Sequence, residues 1–180
     1  RRVDRHGNFL AYVYVDEALL NERLVRAGLA RAQDYPGDSQ SIGKRLRGAI
    51  EIVRKRDLKL LIVNDVNLED YLRGVLSKEA PDYWPPEALK AIAIAARTYA
   101  VYQRFSKEAA EYDVMGTVMS QDYGGKSGEK HATTQAVKAT QGLIIMYRNG
   151  IFPAFYHSTC GGGPTENGRV MGKYDIPPLK

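Results

Sequence analysis

The first third of the chain contains one apolar run typical of a strand and two segments in which apolar residues recur at helical spacing. Residues 10–15 are apolar, aromatic and β-branched, which predicts a strand. Residues 17–31 repeat apolar positions at helical spacing, which predicts a helix. In residues 41–56, apolar side chains from Leu46 to Val53 recur at i, i+4 and i+7 beside a basic outer face, which predicts a second helix.

Patterns in the following stretch predict a strand and two helices. Residues 58–63 form an apolar run of strand length. Asn67 is placed to cap a helix with an acidic first turn. Residues 77–86 are rich in proline and predict a loop, and Pro86 suits the first position of the next helix. That helix, residues 87–105, is apolar on most sides, so we expect it to be buried.

The last third combines a long loop, a short helix and a hairpin. Residues 113–128 are rich in Gly, Ser and Asp and predict a loop of functional length. Residues 131–141 predict a helix. Residues 143–147 and 151–156 predict two strands joined at the Arg-Asn-Gly turn of residues 148–150, because Asn-Gly between two apolar runs is a strong hairpin signal.

Composition adds the size of the core, the distribution of charge and the cysteine count to this picture. The 180 residues are 44% hydrophobic, enough for a core. The net charge of +5 lies in residues 1–56, which hold 12 Lys and Arg against 7 Asp and Glu. This segment could contact a polyanion, although a solvated helix face explains the charge as well. A single cysteine, Cys160, excludes an internal disulfide, and no segment has the roughly 20 apolar residues of a membrane anchor.

The first third resembles a known nuclease family. Residues 4–15 read Asp-Arg-His-Gly-Asn-Phe-Leu-Ala-Tyr-Val-Tyr-Val, and residues 20–30 read Leu-Asn-Glu-Arg-Leu-Val-Arg-Ala-Gly-Leu-Ala. Over residues 2–56 this resembles the second half of a staphylococcal-nuclease-like (thermonuclease) domain. The family's calcium-binding carboxylates would lie upstream, and its catalytic arginine falls where this chain has Asn8, with Arg5 out of register. We expect half an OB-type barrel without nuclease activity and with no specific nucleic-acid partner.

Four segments together resemble the stage II sporulation protein D (SpoIID/LytB amidase enhancer) family over residues 60–178. They read Leu-Glu-Asp-Tyr-Leu-Arg-Gly-Val running into Ser-Lys-Glu-Ala-Pro (68–81), Trp-Pro-Pro-Glu-Ala-Leu-Lys-Ala running into Ala-Ala-Arg-Thr-Tyr-Ala (84–100), Gln-Asp-Tyr-Gly-Gly (121–125), and Ala-Phe-Tyr-His-Ser-Thr-Cys-Gly-Gly followed by Thr-Glu-Asn (154–167). The resemblances predict an α+β fold. A SpoIID-like mixed helical/β domain over residues 57–180 would follow a partial OB-type strand–helix–helix remnant over residues 1–56.

The second resemblance implies a lytic transglycosylase acting on peptidoglycan glycan strands, preferably those stripped of stem peptides. The family's Ser-Glu-Met-Pro loop supplies the catalytic acid and aligns with residues 77–81, which implies Glu79. One carboxylate suffices for this reaction, because the muramic acid's own 6-hydroxyl replaces the water that hydrolysis needs. The pKa of Glu79 must be raised by apolar surroundings, for which Tyr83 and Trp84 are candidates. Glu69 and Glu87 are weaker rivals, since first-turn positions explain both.

Five further residues are candidates for contacting substrate. The resemblance implies His157 and Ser158, and with them Gln121 and Tyr123, although Tyr123 could equally be a packing residue. Arg97 shares a helix face with Lys90 and Arg104. That face could be a solvent stripe, Arg97 could point into a groove, or it could form a structural ion pair. His157 and Cys160 could suggest a thiol protease, which we disfavour because catalytic pairs usually come from distant segments.

No cofactor or metal is predicted. Some relatives carry a Cys/His cluster before the Gln-x-Tyr motif, but this chain has Met115, Met119 and Ser120 there, which are poor zinc ligands. The alternatives to an enzyme are a murein-binding module that stimulates a partner amidase and, less favoured, a calcium-dependent nuclease. The resemblance implies an extracytoplasmic or cell-wall location. The chain begins inside a pattern, so we expect any export signal upstream.

Overall fold

A computed structural model describes residues 9–12, 45–54, 60–106, 110–157 and 177–179. The fold is α+β, as predicted. A four-stranded sheet has the order β2-β3-β1-β4, and a separate hairpin pairs β5 with β6. The strands are β1 (Phe9–Tyr12), β2 (Ala49–Arg54), β3 (Leu60–Val66), β4 (Val114–Met115), β5 (Met146–Tyr147) and β6 (Gly150–Ile151). The helices are α1 (Leu68–Glu79), α2 (Pro86–Ser106) and α3 (His131–Ala139), with short 3-10 turns at Lys126–Gly128 and Pro177–Leu179.

The sheet is built around β3, which pairs antiparallel with both β1 and β2. Its Leu-Leu-Ile-Val run suits a strand that is covered on both faces. Asn64, fully buried in this strand, donates from Nδ2 to the carbonyl oxygens of Arg47 (2.8 Å) and Ala49 (3.0 Å). Burying an amide is tolerable when its donors are satisfied in this way, so Asn64 fixes the chain that enters β2.

The predicted helix over residues 41–56 is wrong in its described part, because residues 49–54 form β2. The apolar spacing that indicated a helix coexists with a period-two alternation around Glu51, and pairing with β3 selects the strand. Gly48 has φ +79°, and a Cβ there would lie 2.0 Å from the carbonyl oxygen of Asp65, so only glycine permits this close entry. The predicted strand at residues 10–15 is observed at Phe9–Tyr12, and the predicted helix over 17–31 lies outside the described residues.

Strand pairing and loop contacts cross the predicted boundary at residues 56 and 57. Strands β1 and β2 precede it and β3 follows it, yet they share one sheet. Arg47 also forms an ion pair with Glu129, and the backbone N–H of Lys126 donates to the carbonyl of Arg45 at 2.7 Å. The division into two domains stays a prediction, but the residues just before the boundary pack on the second unit.

Helix α1 begins as predicted and ends later than predicted. The Asn67 side chain accepts a 2.9 Å hydrogen bond from the Glu69 backbone N–H, which confirms the predicted cap. At the other end the helix continues to Glu79, so the predicted loop over residues 77–86 is wrong at its start. The Ala80 N–H still bonds to the Leu76 carbonyl, and Pro81 excludes helical geometry at Ala80. Glu79 is therefore the last residue of a helix, not a loop residue.

The start of α2 and the turn of the hairpin follow the sequence pattern. Helix α2 begins at Pro86, as predicted. The predicted hairpin is confirmed, with Arg148 (φ 47°) and Asn149 (φ 61°) forming a two-residue turn of the type that matches strand twist. Its strands are two residues long, much shorter than predicted. No helix among the described residues is long and apolar enough to cross a membrane.

The main core lies where the three helices meet. Helices α1, α2 and α3 contribute buried residues to it, and β3 closes it with Val66. The fully buried members with the largest side chains are Tyr71, Leu72, Leu76, Leu89 and Tyr123. Because Glu79 ends α1 at the margin of this core, its position is set by a rigid element.

Candidate active site

Glu79 lies in an open pocket of about 260 Å³ at the end of α1. Its Oε1 accepts a hydrogen bond from the backbone N–H of Asp122, with N and O 2.9 Å apart. Aromatic and apolar side chains line the pocket together with polar ones. The lining residues besides Glu79 are Lys78, Tyr99, Val118, Met119, Ser120, Asp122, Phe155 and Tyr156. The pocket thus joins the end of α1, the middle of α2 and the segments after β4 and β6.

The pKa of Glu79 is raised above its usual value, as a general acid requires. Burial is the largest cause, because it penalises the charged carboxylate. The hydrogen bond from the Asp122 N–H lowers the pKa, and the negative charge of the Asp122 side chain raises it again. The C-terminal end of a helix also disfavours a negative charge. Burial and the charge of Asp122 thus shift the pKa of Glu79 in the direction that a proton donor needs.

The apolar surroundings of Glu79 are not the ones predicted from the sequence. Tyr83 is 84% exposed, and Trp84 packs against the helical core. Neither side chain lines the pocket, which is walled instead by Tyr99, Phe155 and Tyr156. Residues 81–85 form the turn before α2. Tyr83 and Trp84 are therefore close to Glu79 in sequence but do not line its pocket.

Gln121 is buried and binds a tyrosine that lines the pocket. Only 1% exposed, it donates from Nε2 to the Ala96 carbonyl (3.1 Å) and to the Tyr156 hydroxyl (3.0 Å). Its Oε1 accepts from the Tyr71 hydroxyl at 3.3 Å. Burial, followed by the charge of Glu79, raises the pKa of Tyr156, so this phenol keeps its proton. Because Tyr156 accepts from Gln121, its own hydroxyl hydrogen remains to be donated.

Tyr123 is a packing residue in this arrangement. It is fully buried, and its ring lies 5.1 Å from that of Tyr71 at 30°. Burial is the main cause that raises its pKa to about 12. A Cβ on Gly74 would lie 2.5 Å from the ring carbon Cε2 of Tyr123, so α1 needs glycine at this contact. Tyr123 thus anchors the segment that carries Gln121 and Asp122. This geometry favours the packing role over a contact with substrate.

Arg97 is the centre of a buried ion pair. Its side chain is 1% exposed, and Nε and Nη2 each donate to one carboxylate oxygen of Glu69 at 2.8 Å. The guanidinium also donates to the carbonyls of Val137 (3.2 Å) and Leu143 (3.1 Å) and more weakly to Thr140. Of the three alternatives for Arg97, this geometry favours the structural ion pair over a solvent stripe or a groove contact. The same pair gives Glu69 a structural role, so Glu69 is a weaker candidate for the catalytic acid. Glu87 pairs with Lys90 at the surface, as a first-turn acid can.

The remaining predicted residues lie at or beyond the edge of the described chain. His157 is exposed and follows Tyr156 directly. Ser158 and Cys160 lie outside the described residues. Substrate contacts by His157 and Ser158 therefore stay predictions.

The stretch before Gln121, for which no zinc site is predicted, contributes thioether and hydroxyl side chains. Met119 is 76% exposed at the pocket rim, Ser120 lines the pocket and Met115 is half-buried in β4. Thioether and hydroxyl groups do not fit a zinc site. In the part of the chain that the structure describes, no group of three His, Cys, Asp or Glu residues could hold a metal ion.

Sequence reasoning missed most of the residues that line the pocket, and four of these carry polar groups: Lys78, Tyr99, Asp122 and Tyr156. Each stands inside a segment that carries the family resemblance. Three of them are direct sequence neighbours of selected residues, so the motifs marked the correct segments. Which neighbour faces the pocket depends on contacts between segments that no single motif reveals.

Two family models match different parts of the chain. The family model described as stage II sporulation protein matches residues 56–147, just over half of the 180 residues. The chain therefore belongs to the stage II sporulation protein (SpoIID) family. A model described as staphylococcal nuclease homologue matches residues 1–60, where the nuclease-like remnant was predicted.

Individual relatives include proteins named for two roles. Stage II sporulation protein D of Bacillus subtilis is 38% identical over 133 residues, covering 66% of this chain and 38% of that protein. The amidase enhancer of the same organism is 35% identical over 108 residues, covering 60% of this chain and 14% of that protein. An uncharacterised protein of Brachyspira hyodysenteriae is 38% identical over 114 residues, covering 63% of this chain and 31% of that protein. The chain thus spans well under half the length of each of these relatives.

Proposed function

We propose that this chain cleaves peptidoglycan glycan strands as a lytic transglycosylase, with Glu79 as general acid and then general base. The observation that carries the proposal is a half-buried carboxyl group of raised pKa in an open pocket with an aromatic wall. Sugar rings pack well on aromatic faces, and a general acid works best when its pKa is near the working pH. The membership in the SpoIID family supports a role at the cell wall.

The reaction needs two proton transfers, and Glu79 takes part in both. Glu79 donates its proton to the glycosidic oxygen as the bond to C1 of the muramic residue breaks. The muramic 6-hydroxyl then attacks C1, and the Glu79 carboxylate accepts the hydroxyl proton, which restores the acid. The product is a 1,6-anhydro sugar, and no water is consumed. The attack is intramolecular, so proximity supplies what a bound water would otherwise provide.

Three neighbours have supporting roles in this proposal. The Asp122 N–H holds Oε1 of Glu79, which leaves the other carboxyl oxygen for substrate. The hydroxyl of Tyr156, fixed by Gln121, donates a hydrogen bond to a sugar oxygen. The Asp122 N–H and the Tyr156 hydroxyl act as positioned donors in a partly buried site, where such groups contribute most.

A hydrolytic alternative is favoured by one specific observation. Asp122 places a second carboxylate in the same pocket as Glu79. Two carboxylates are what an ordinary glycosidase uses, one as acid and one as base or nucleophile. We favour the transglycosylase because the motif that carries the family resemblance supplies one catalytic carboxylate, Glu79, and the recorded contact of Asp122 with Glu79 is made by its backbone N–H. The products separate the two reactions: hydrolysis leaves reducing muramic ends, whereas transglycosylation leaves anhydro ends.

A non-catalytic role is the second alternative. A relative is named amidase enhancer, so the pocket could bind murein and stimulate an amidase without cutting. Digestion of purified glycan strands, followed by mass spectrometry of the products, distinguishes these roles. We expect anhydro-muramic products from the wild type and none from Glu79→Gln. Binding of strands with no anhydro product from the wild type would support the enhancer role.

The nuclease alternative makes a separate prediction. The position expected to hold the nuclease family's catalytic arginine is occupied by Asn8, so we predict no calcium-dependent DNA cleavage by these residues. We propose that the protein works outside the cytoplasm at the cell wall, where its substrate lies. Glycan strands are the first proposed partner, and a murein amidase is the second.

A further inference from the structure

Lys78 extends beside the candidate acid and lies over a glycine-rich loop. It lines the same pocket as Glu79 and is itself exposed. A Cβ on Gly124 would lie 3.0 Å from Cε and 3.3 Å from Cγ of Lys78, and a Cβ on Gly128 would lie 3.9 Å from Cε. The lysine stem thus rests on two glycines, and a larger residue at Gly124 would displace it. Such packing limits the positions that the ammonium group samples, although the side chain remains accessible.

The charge of Lys78 has no counterpart in the described structure. Among the described residues, no carboxylate forms a salt bridge with it, and the recorded hydrogen bond of Glu79 goes to the Asp122 amide. Other basic groups near this end of the molecule are engaged, since Arg47 pairs with Glu129 and Arg73 with Asp70. In the aligned Ser-Glu-Met-Pro motif, serine stands directly before the acid, whereas this chain has lysine. An accessible cation in a reaction pocket is suited to bind an anionic group on the substrate.

The substrate proposed above offers one such group next to the bond that breaks. Each muramic residue bears a lactyl substituent. When the stem peptide has been removed, this substituent ends in a free carboxylate, and when the peptide is present, it ends in an amide. A cation close to the acid therefore meets a charge on one kind of strand and a neutral group on the other.

Resting on the proposed function, we infer that Lys78 is a specificity-determining residue that binds the free lactyl carboxylate of the muramic unit. It selects strands on which that carboxylate is not amide-bonded. A lysine–carboxylate pair in a partly exposed site changes affinity by about fivefold, and salt weakens it.

Binding of three matched glycans to the 180-residue chain tests this inference. The first has free lactyl carboxylates, the second has the same carboxylates converted to methylamides, and the third keeps its stem peptides. Affinities are measured in the Glu79→Gln background, so that cleavage does not consume the ligand. We expect about fivefold tighter binding of the free-carboxylate strand than of the methylamide strand at low ionic strength, and a smaller ratio as salt is raised.

Variants of the lysine and of its support make the test specific. Lys78→Met should bring the ratio close to one, while Lys78→Arg should retain most of it. Gly124→Ala should lower the ratio, because the added methyl displaces the lysine stem. Lys138→Met, which removes an exposed lysine on α3 away from the pocket lining, should leave the ratio unchanged.

Each outcome decides for or against the inference. Equal binding of the free and methylamide strands, an unchanged ratio in Lys78→Met, or no binding of either strand overturns it. Failure here is distinct from failure of the proposed reaction. Anhydro products without a carboxylate preference would overturn the role of Lys78 alone, and a preference lost in Lys78→Met without anhydro products would overturn the transglycosylase alone.

Discussion

Removing the carboxylate of Glu69 tests whether Arg97 is a structural residue. In Glu69→Ala the guanidinium of Arg97 keeps its bonds to Val137, Thr140 and Leu143 but loses both 2.8 Å bonds to its only charged partner in the described structure. The backbone N–H of Gly142, which donates to Glu69 at 3.3 Å, lies at an exposed position and can turn to water. The substitution thus leaves one positive charge buried without an opposite charge.

The expected loss follows from how buried the pair is. Breaking a buried ion pair by removing one partner costs about 3–5 kcal/mol, because the remaining charge is not solvated. Arg97 is 1% exposed and Glu69 is 16% exposed, so water partly reaches the vacated site and the lower end of the range applies. A chain of this size loses about 2–4 °C of melting temperature per kcal/mol. We therefore expect Glu69→Ala to lower the melting temperature by about 6–12 °C.

Glu87→Ala provides the matched control in thermal unfolding followed by circular dichroism. It removes the same side chain from the first turn of the next helix and also breaks an ion pair, with Lys90. Glu87 is 82% exposed, so its pair contributes little, and a change of about 1–2 °C is expected.

Equal and small losses in the two variants would refute the reasoning, because they would mean that the neutral acceptors suffice for Arg97. Arg97→Lys adds a functional readout. Lysine keeps the charge but lacks the two-pronged geometry, so stability should fall. A stable Arg97→Lys variant with weaker glycan binding would instead support the contact with substrate that the sequence suggested.

Three further predictions concern the pocket and its support. Asp122→Asn removes a charge that raises the pKa of Glu79, so the alkaline limb of the pH profile of kcat/KM should move to lower pH. Gly74→Ala places a methyl group against the ring of Tyr123, so chemical denaturation should show a loss of about 1–3 kcal/mol, and cleavage should fall because Gln121 shifts with that ring. Glu79→Gln should be more stable than the wild type at about pH 7 but not at about pH 4. A raised folded-state pKa stabilises below the unfolded value, near 4.3, and this stabilisation is lost as pH rises through the folded pKa.

Features encoded by short stretches of sequence were predictable. The Asn67 cap, the start of α2 at Pro86 and the turn at Arg148 and Asn149 each depend on a few adjacent residues. Local chemistry decides such features, so no distant partner could overturn them. The family resemblance likewise identified the segments that meet at the pocket.

Features that depend on distant partners were not predictable from the pattern. The spacing from Leu46 to Val53 suits a helix, and only pairing with β3 makes residues 49–54 a strand. Arg97 stands seven residues from Lys90 on the same helix, but its partner Glu69 belongs to the preceding helix, so its burial left no local signal. The wall residue Tyr156 is held by Gln121, 35 positions earlier in the chain. Such contacts join separate segments of the chain. The motifs could therefore indicate where the site lies but not the role of each residue in it.

The measurement that tests the central claim most directly is mass spectrometry of glycan strands digested by the wild type, Glu79→Gln and Asp122→Asn. The account predicts 1,6-anhydro-muramic ends from the wild type, none from Glu79→Gln, and anhydro ends still formed by Asp122→Asn with its shifted pH profile. Reducing muramic ends from the wild type that disappear in both variants would contradict it and indicate a two-carboxylate hydrolase. Intact strands after incubation with a wild type that binds them would contradict catalysis altogether.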